Sequence, residues 1–232
     1  MPADDDEIAG WGERMASFMN ADVTPERAEM RRIADAARVV IERLVASEAP
    51  LDSLETAARH LEEASAELGG YPQGRLYEGF AESANAGDPH AFFDHSPVMG
   101  AANPLAPPLR LEAVDGRVLG TVRFGPAYEG PPGHVHGGYI AAIFDEVLGM
   151  AQSMSGRPGM TASLTVRYRK PTPLLTELRF EGTLDRVDGR KLFTSGRCFH
   201  GELLTAEAEG LVISVDFTKF ATMMAERGRP TD

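Results

Sequence analysis

His136, Gly137, Gly138 and Asp145 are the residues of this 232-residue chain whose types and spacing best suit chemistry. They belong to a nearly unbroken apolar run from His136 to Gln152, HGGYIAAIFDEVLGMAQ, whose composition predicts a helix. At roughly 100° per residue, the steps from Gly138 to Asp145 make about two turns, so Asp145 shares a stripe with Gly138, Ala141, Ala142, Leu148 and Gly149. The first turn of a helix presents unpaired amide hydrogens and a positive dipole end, and glycine lets a ligand approach the backbone closely. Gly137 and Gly138 are therefore candidates to hold a polarised carbonyl oxygen, with Asp145 acting through a water on that carbonyl's carbon. Residues 139 to 151 otherwise leave no polar face for solvent, which favours a dry Asp145 over a solvated Asp145–Glu146 pair.

Other constellations compete less well. His134 and His136 with Asp145 make a candidate metal-ligand set, but no third His or Glu accompanies them in a suitable frame, so no metal is expected. Cys198 and His200 share one side of a strand in the manner of a nucleophile and its base. A lone strand cysteine nevertheless reads first as a small core residue. The sequence has no G-x-S-x-G elbow, P-loop or G-x-G-x-x-G, which removes the serine-hydrolase and nucleotide-fold readings.

Composition narrows the partners. With 43% hydrophobic residues the chain can bury one good core and retain a small accessory region. A net charge of −12, from 35 acidic against 23 basic residues, repels phosphate backbones and argues against nucleic acid, while a local basic spot would suffice for a small anion. The acidic opening Met1-Pro2-Ala3-Asp4-Asp5-Asp6-Glu7 is read as no secretory signal, and no run approaches the ~18 apolar residues of a membrane span. The single cysteine, Cys198, excludes an internal disulfide and fits a reducing compartment, so a cytoplasmic location is expected.

These residues need elements to position them. Thr24-Pro25-Glu26 starts a helix that runs to about residue 46, with Met30, Ile33, Ala37, Val40, Ile41 and Leu44 on its apolar side. A second helix is expected near Asp52, with Glu55 completing a capping box, burying Leu54, Ala58, Leu61 and Leu68 and ending at Gly69-Gly70. The two should form a helical hairpin whose charged faces are solvated. Six prolines between Pro72 and Pro108 mark a structured linker. Beyond it the period becomes two: strands at Leu109–Val114 and Arg117–Phe124, then the apolar helix, then strands at Ala162–Tyr168, Glu177–Val187, Lys191–His200 and Leu203–Phe217. The division is thus a helical extension over 1–75, a linker over 76–108, a main domain over 109–218 and a tail over 219–232.

Two strands, one buried helix and four strands suggest an α+β arrangement, an antiparallel sheet wrapped around a central helix. Its open edges and uncovered helix face favour pairing of two subunits. Five landmarks now stand in order: His136-Gly137-Gly138, Asp145 nine residues after the His, Thr161 sixteen after the Asp, Arg169-Lys170-Pro171, and Gly189-Arg190-Lys191. On these, residues 90 to 217 or so resemble the hotdog fold and, within it, the PaaI-like acyl-CoA thioesterases of the thioesterase superfamily.

The resemblance implies hydrolysis of an acyl-CoA thioester to a free acid and coenzyme A, with no bound cofactor, in at least a dimer whose active sites lie at the subunit interface. It implies that the Gly137 and Gly138 amides polarise the thioester carbonyl. Asp145 would be a general base on water or a nucleophile passing through an anhydride. Thr161, from the partner subunit, would hydrogen-bond the water or Asp145, and His136 would shape the loop rather than relay protons. Arg167 and Arg169 alternate onto one strand face and Arg190-Lys191 lies at a neighbouring strand start, so the four are candidates for the phosphates of coenzyme A, although ordinary exposed strand ends fit each singly as well. The sequence departs from its relatives in one respect: some carry an Asn shortly before His-Gly-Gly to help polarise the carbonyl, and Tyr128 to Gly133 contains none. Two rival readings remain: a non-catalytic acyl-CoA or lipid-binding hotdog protein whose Asp145 caps a tunnel, and a helical extension that docks another protein.

Overall fold

The computed structural model describes residues 23–71, 94–157 and 159–215. The acidic N-terminal segment, most of the expected linker, the tail over 219–232 and the end of the last strand at Phe217 lie outside the described residues.

Helix α1 spans Pro25–Val45, and Thr24 caps it as expected, its hydroxyl accepting from the Arg27 amide at 3.3 Å. Its seating reverses the expectation. The stripe turned toward the rest of the chain is Arg27, Arg31, Ala34, Arg38 and Glu42, joined by the half-buried Ala37 alone of the expected apolar side, while Met30, Ile33, Val40, Ile41 and Leu44 are exposed. Arg31 donates to the Asp94 carboxylate at 2.6 Å, Arg38 to the carbonyls of Ala101 and Asn103, and Glu42 accepts from the Ala127 amide at 3.2 Å. The surface that α1 meets is made of backbone polar groups and a buried carboxylate, which require hydrogen-bond partners, so the charged stripe docks there.

Helix α2, Leu51–Gly69, starts on Pro50 with no side-chain cap, not on the expected Asp52–Glu55 capping box. None of its residues is buried, Leu54, Ala58, Leu61 and Leu68 included, and it does not pack along α1. The expected packed hairpin therefore does not form within the described chain.

Six strands build one sheet: β1 Arg110–Val114, β2 Arg117–Arg123, β3 Gly159–Tyr168, β4 Glu177–Asp188, β5 Lys191–His200 and β6 Leu203–Ser214. All pairings are antiparallel, in the order β1-β2-β4-β5-β6-β3. The β1–β2 turn falls on Asp115-Gly116, both with positive φ (49° and 72°), the conformation a tight two-residue hairpin requires. Helix α3, Gly137–Ser153, lies across the inner face and contacts β2 to β6. Its Ile143, Phe144, Val147 and Ala151 are fully buried against Leu178, Phe180, Cys198 and Ala206.

A track of glycines lets helix and sheet come this close. Gly182 pairs with Gly196 across β4 and β5, and Gly210 lies opposite Thr194 on β6. A Cβ at Gly182 would stand 2.6 Å from Val147 Cγ1, and one at Gly196 would stand 3.1 Å from Leu148 and 3.2 Å from Phe144. Side chains along this track would hold the sheet off the helix, so their absence is what allows it to wrap.

Candidate active site

His136 is the N-cap of α3, and its Nδ1 accepts the Gly138 amide at 3.1 Å. The histidine thus shapes the helix start, by satisfying one of the orphan donors of the first turn. Its ring also takes up one of the two amides expected for a carbonyl oxygen. The Gly137 amide pairs with no protein group among the described residues, while the Gly137 carbonyl accepts from the Tyr168 hydroxyl at 2.8 Å. The approach loop is held from several sides: His136 N–H to Tyr128 O at 2.9 Å, Val135 N–H to Thr172 O at 2.8 Å, and Gly133 N–H to Glu129 Oε1 at 2.6 Å. Tyr139, in the first turn of α3, packs edge-on against Tyr128 with ring centroids 4.8 Å apart. Burial, and then the neighbouring Glu42 and Tyr139, push the Tyr128 hydroxyl up to about 12, so it stays a neutral hydroxyl.

Asp145 is exposed in the single chain, not dry. The apolar run hid this because Gly138 on the same side of α3 is exposed and the small Ala141, Ala142 and Gly149 are only half-buried, while Leu148, expected on the same stripe, is buried against the glycine track of the sheet. The next residue behaves differently. Glu146 is half-buried and accepts from Ser96 Oγ at 2.9 Å. Burial raises its carboxyl above the ordinary range, the charge of Asp145 adds to that, and the Ser96 hydrogen bond opposes it.

Thr161 lies exposed on β3, the edge strand beyond β6, opposite Val212. The four basic candidates do not gather within one chain. Arg167 pairs with Glu209 at 2.7 Å and Arg169 with Glu207, both on β6, whereas Arg190 donates to the Ser214 carbonyl and Lys191 lies across from Ile213. Ile213 in turn faces Met160, seven residues before Arg167, which separates the two basic pairs by about 23 Å along the strand. A groove of about 430 Å³ on the opposite face of the sheet, lined by Arg117, Arg167, Arg197, Glu181 and Asp185 among others, does not include Asp145.

Cys198 is fully buried and its thiol is pushed up to about 11, chiefly by that burial, which makes it a core residue and no nucleophile. Among the described residues no three His, Cys, Asp or Glu side chains gather as a metal cage. Two participants escaped sequence reasoning. Tyr168 shares a strand face with Leu164 and Val166, and nothing in that spacing foretells its bond to Gly137; Ser96 sits among prolines with no period to announce it.

A six-stranded antiparallel sheet curled around a helix that opens on His-Gly-Gly and carries a carboxylate is the hotdog architecture. The sequence model of the thioesterase superfamily matches residues 132–207. A thioesterase superfamily protein of known crystal structure is 38% identical, with a TM-score of 0.69 over 79% of this chain and 94% of that one. Acyl-coenzyme A thioesterase THEM4 of Bos taurus is 39% identical over 100 residues, 42% of this chain and 41% of that protein. THEM4 of Mus musculus is 37% identical over 105 residues, 44% and 45% of the two chains. The chain belongs to the thioesterase superfamily, and the match spans less than half the length of these curated relatives.

Proposed function

We propose that this protein hydrolyses an acyl-CoA thioester to a free acid and coenzyme A. The observation that carries the reading is that Gly138 and Asp145 are both open on one side of α3, with the Gly137 amide at its head. The seven steps from Gly138 to Asp145 rise about 10 Å, roughly the length of a carbonyl group, an attacking water and two hydrogen bonds laid end to end. The Gly137 amide polarises the carbonyl, joined by Gly138 when the His136 ring releases its N–H, and Asp145 acts as general base or as nucleophile.

The working unit in this reading is a homodimer. Supporting it are the open β3 edge that carries Thr161 and the small-residue side of α3 on which Gly138 and Asp145 are exposed. A second copy laid on that face would remove Asp145 from bulk water and bring a Thr161 from across the interface. Antiparallel apposition of two β3 edges would also set the Arg167 and Arg169 of one protomer near the Arg190 and Lys191 of the other. The four would then form one basic site for the phosphates, once the guanidinium groups exchange their glutamate partners. Residues 109–218 are the catalytic domain, 1–75 the helical extension, 76–108 the linker and 219–232 the tail. A cytoplasmic location accords with a lone, buried cysteine, and no helix among the described residues is long and apolar enough to cross a membrane.

Thiol release from a panel of short, medium, long and aryl acyl-CoAs tests the activity. Asp145→Asn is expected to lower turnover by ~10²–10⁴ while the protein stays folded; near-normal turnover in that variant refutes the assignment. The Gly138 amide, already engaged by His136, favours a second reading in which the site binds acyl-CoA without cleaving it. Tight binding of several acyl-CoAs with no thiol released from any would establish that alternative.

A further inference from the structure

The turn that leads toward the head of α3 has no cap of its own. Gly125 opens a 3-10 turn at Pro126–Tyr128 and brings no side chain, and Pro126 brings no N–H, so the Ala127 amide is the first that needs an acceptor. Inside the turn the Tyr128 and Glu129 amides return to the carbonyls of Gly125 and Pro126, both at 3.2 Å. Ala127 finds its partner 85 positions back in the chain, in the Glu42 carboxylate near the end of α1, at 3.2 Å. A Cβ at Gly125 would strike both oxygens of that carboxylate, so glycine is what leaves room for it. From this turn two contacts reach α3. The Tyr128 carbonyl accepts the His136 amide at 2.9 Å, and the Tyr128 ring packs edge-on against Tyr139. His136 in turn holds the Gly138 amide at 3.1 Å. A Cβ at Gly130 would lie 2.7 Å from His136 Cα, so the intervening loop has little room to give. A continuous set of contacts therefore runs from the leading helix to the glycine amides.

We propose that Glu42 is a positioning residue: by capping the Pro126–Tyr128 turn it fixes where Tyr128 holds His136, and so where the Gly137 and Gly138 amides stand. This rests on the role proposed for those amides. The leading helix is then part of the scaffold of the active site and not an appendage to it. Donors that meet a developing oxyanion act on the transition state, so displacing them lowers turnover more than it weakens substrate binding. A carboxylate that served only to fasten α1 would leave that balance alone.

The experiment is steady-state thiol release from acyl-CoA by the full chain and its variants, with the amide resonances of His136 and Gly138 followed by NMR. Glu42→Ala removes the acceptor, so kcat is expected to fall about tenfold with KM within about twofold of wild type. Glu42→Gln keeps an acceptor oxygen for the Ala127 amide and should recover most of kcat. Gly125→Ala displaces the carboxylate from the other side, cheaply, because the atoms that must move end a flexible side chain. It should lower kcat in the wild-type background and add nothing in Glu42→Ala. Arg31→Met loosens the far end of α1 and should leave kcat unchanged. The two amide resonances should move in Glu42→Ala and stay in place in Glu42→Gln, whatever the turnover. An unchanged kcat or unmoved resonances in Glu42→Ala, or an equal fall in kcat in Arg31→Met, overturns the proposal; if Glu42→Ala does not fold, the same results in Gly125→Ala do so. Asp145→Asn separates the two levels. If it retains turnover, the reading of the site itself falls, whereas an inactive Asp145→Asn beside an unchanged kcat in Glu42→Ala removes only the role of Glu42.

Discussion

Replacing Arg31 by Met strands the Asp94 carboxylate, and the structure sets the size of the effect. The Asp94 side chain is 3% exposed and that of Arg31 is 29% exposed, with Nε 2.6 Å from the carboxylate oxygen. Removing one partner of a buried pair typically costs ~3–5 kcal/mol. The stranded carboxyl can instead take up a proton, and doing so at pH 7 for an ordinary aspartate costs about 4 kcal/mol, which is a ceiling. Because Arg31 lies partly open to water, solvent entering the gap lowers the cost to about 2–3 kcal/mol. The measurement is urea unfolding followed by circular dichroism at pH 7 and pH 5. An unpartnered buried carboxyl binds its proton more readily folded than unfolded, so the variant should gain stability relative to the wild type as pH falls. A loss below 0.5 kcal/mol on this order-of-magnitude scale, or a deficit equal at both pH values, would show that Arg31 does not hold Asp94 in the way described.

Three further outcomes are expected. Thr161→Ala should lose on the order of tenfold in turnover if the hydroxyl orients water, and mixing it with Asp145→Asn chains should restore about a quarter of wild-type activity, since half the dimers would carry one intact site; no recovery after subunit exchange would place the two residues on the same chain. Native Cys198 should resist iodoacetamide until the protein unfolds, because its thiol is buried and raised to about 11; rapid labelling of folded protein counts against that packing. Gly182→Ala, whose new Cβ meets Val147 at 2.6 Å, should destabilise by ~1–3 kcal/mol in thermal unfolding, and an unchanged midpoint would mean that helix and sheet are not so closely apposed.

Strands and the central helix were legible because each lies against a continuous core that imposes its period: β1, β2, β4 and β5 fall within a residue or so of the expected bounds, and α3 covers the apolar run. β3 begins three residues earlier than expected, at Gly159, where the polar Thr161 disguises an exposed edge. The accessory helices were legible as helices but not in how they pack. Apolar periodicity says which side of a helix avoids water, and α1 meets a polar surface for which that rule gives the wrong side. The common side of Gly138 and Asp145 follows from helical spacing, whereas the capping of α3 by His136 was not foreseen, and the Tyr168–Gly137 and Ser96–Glu146 bonds join residues 31 and 50 positions apart, which no local pattern encodes. The dryness expected of Asp145 failed for a related reason: a run of small apolar residues cannot reveal whether its cover comes from the same chain.

The inverted seating of α1 gives the molecule two fastenings that answer to opposite changes in solvent. Its grip through Arg31, Arg38 and Glu42 is electrostatic and loosens as ionic strength rises. The greasy interior around Phe144, Phe180 and Leu178 tightens in sulfate or phosphate salts. Concentrated sulfate should therefore lift the leading helix from its seat while the barrel-like body beneath it grows harder to melt.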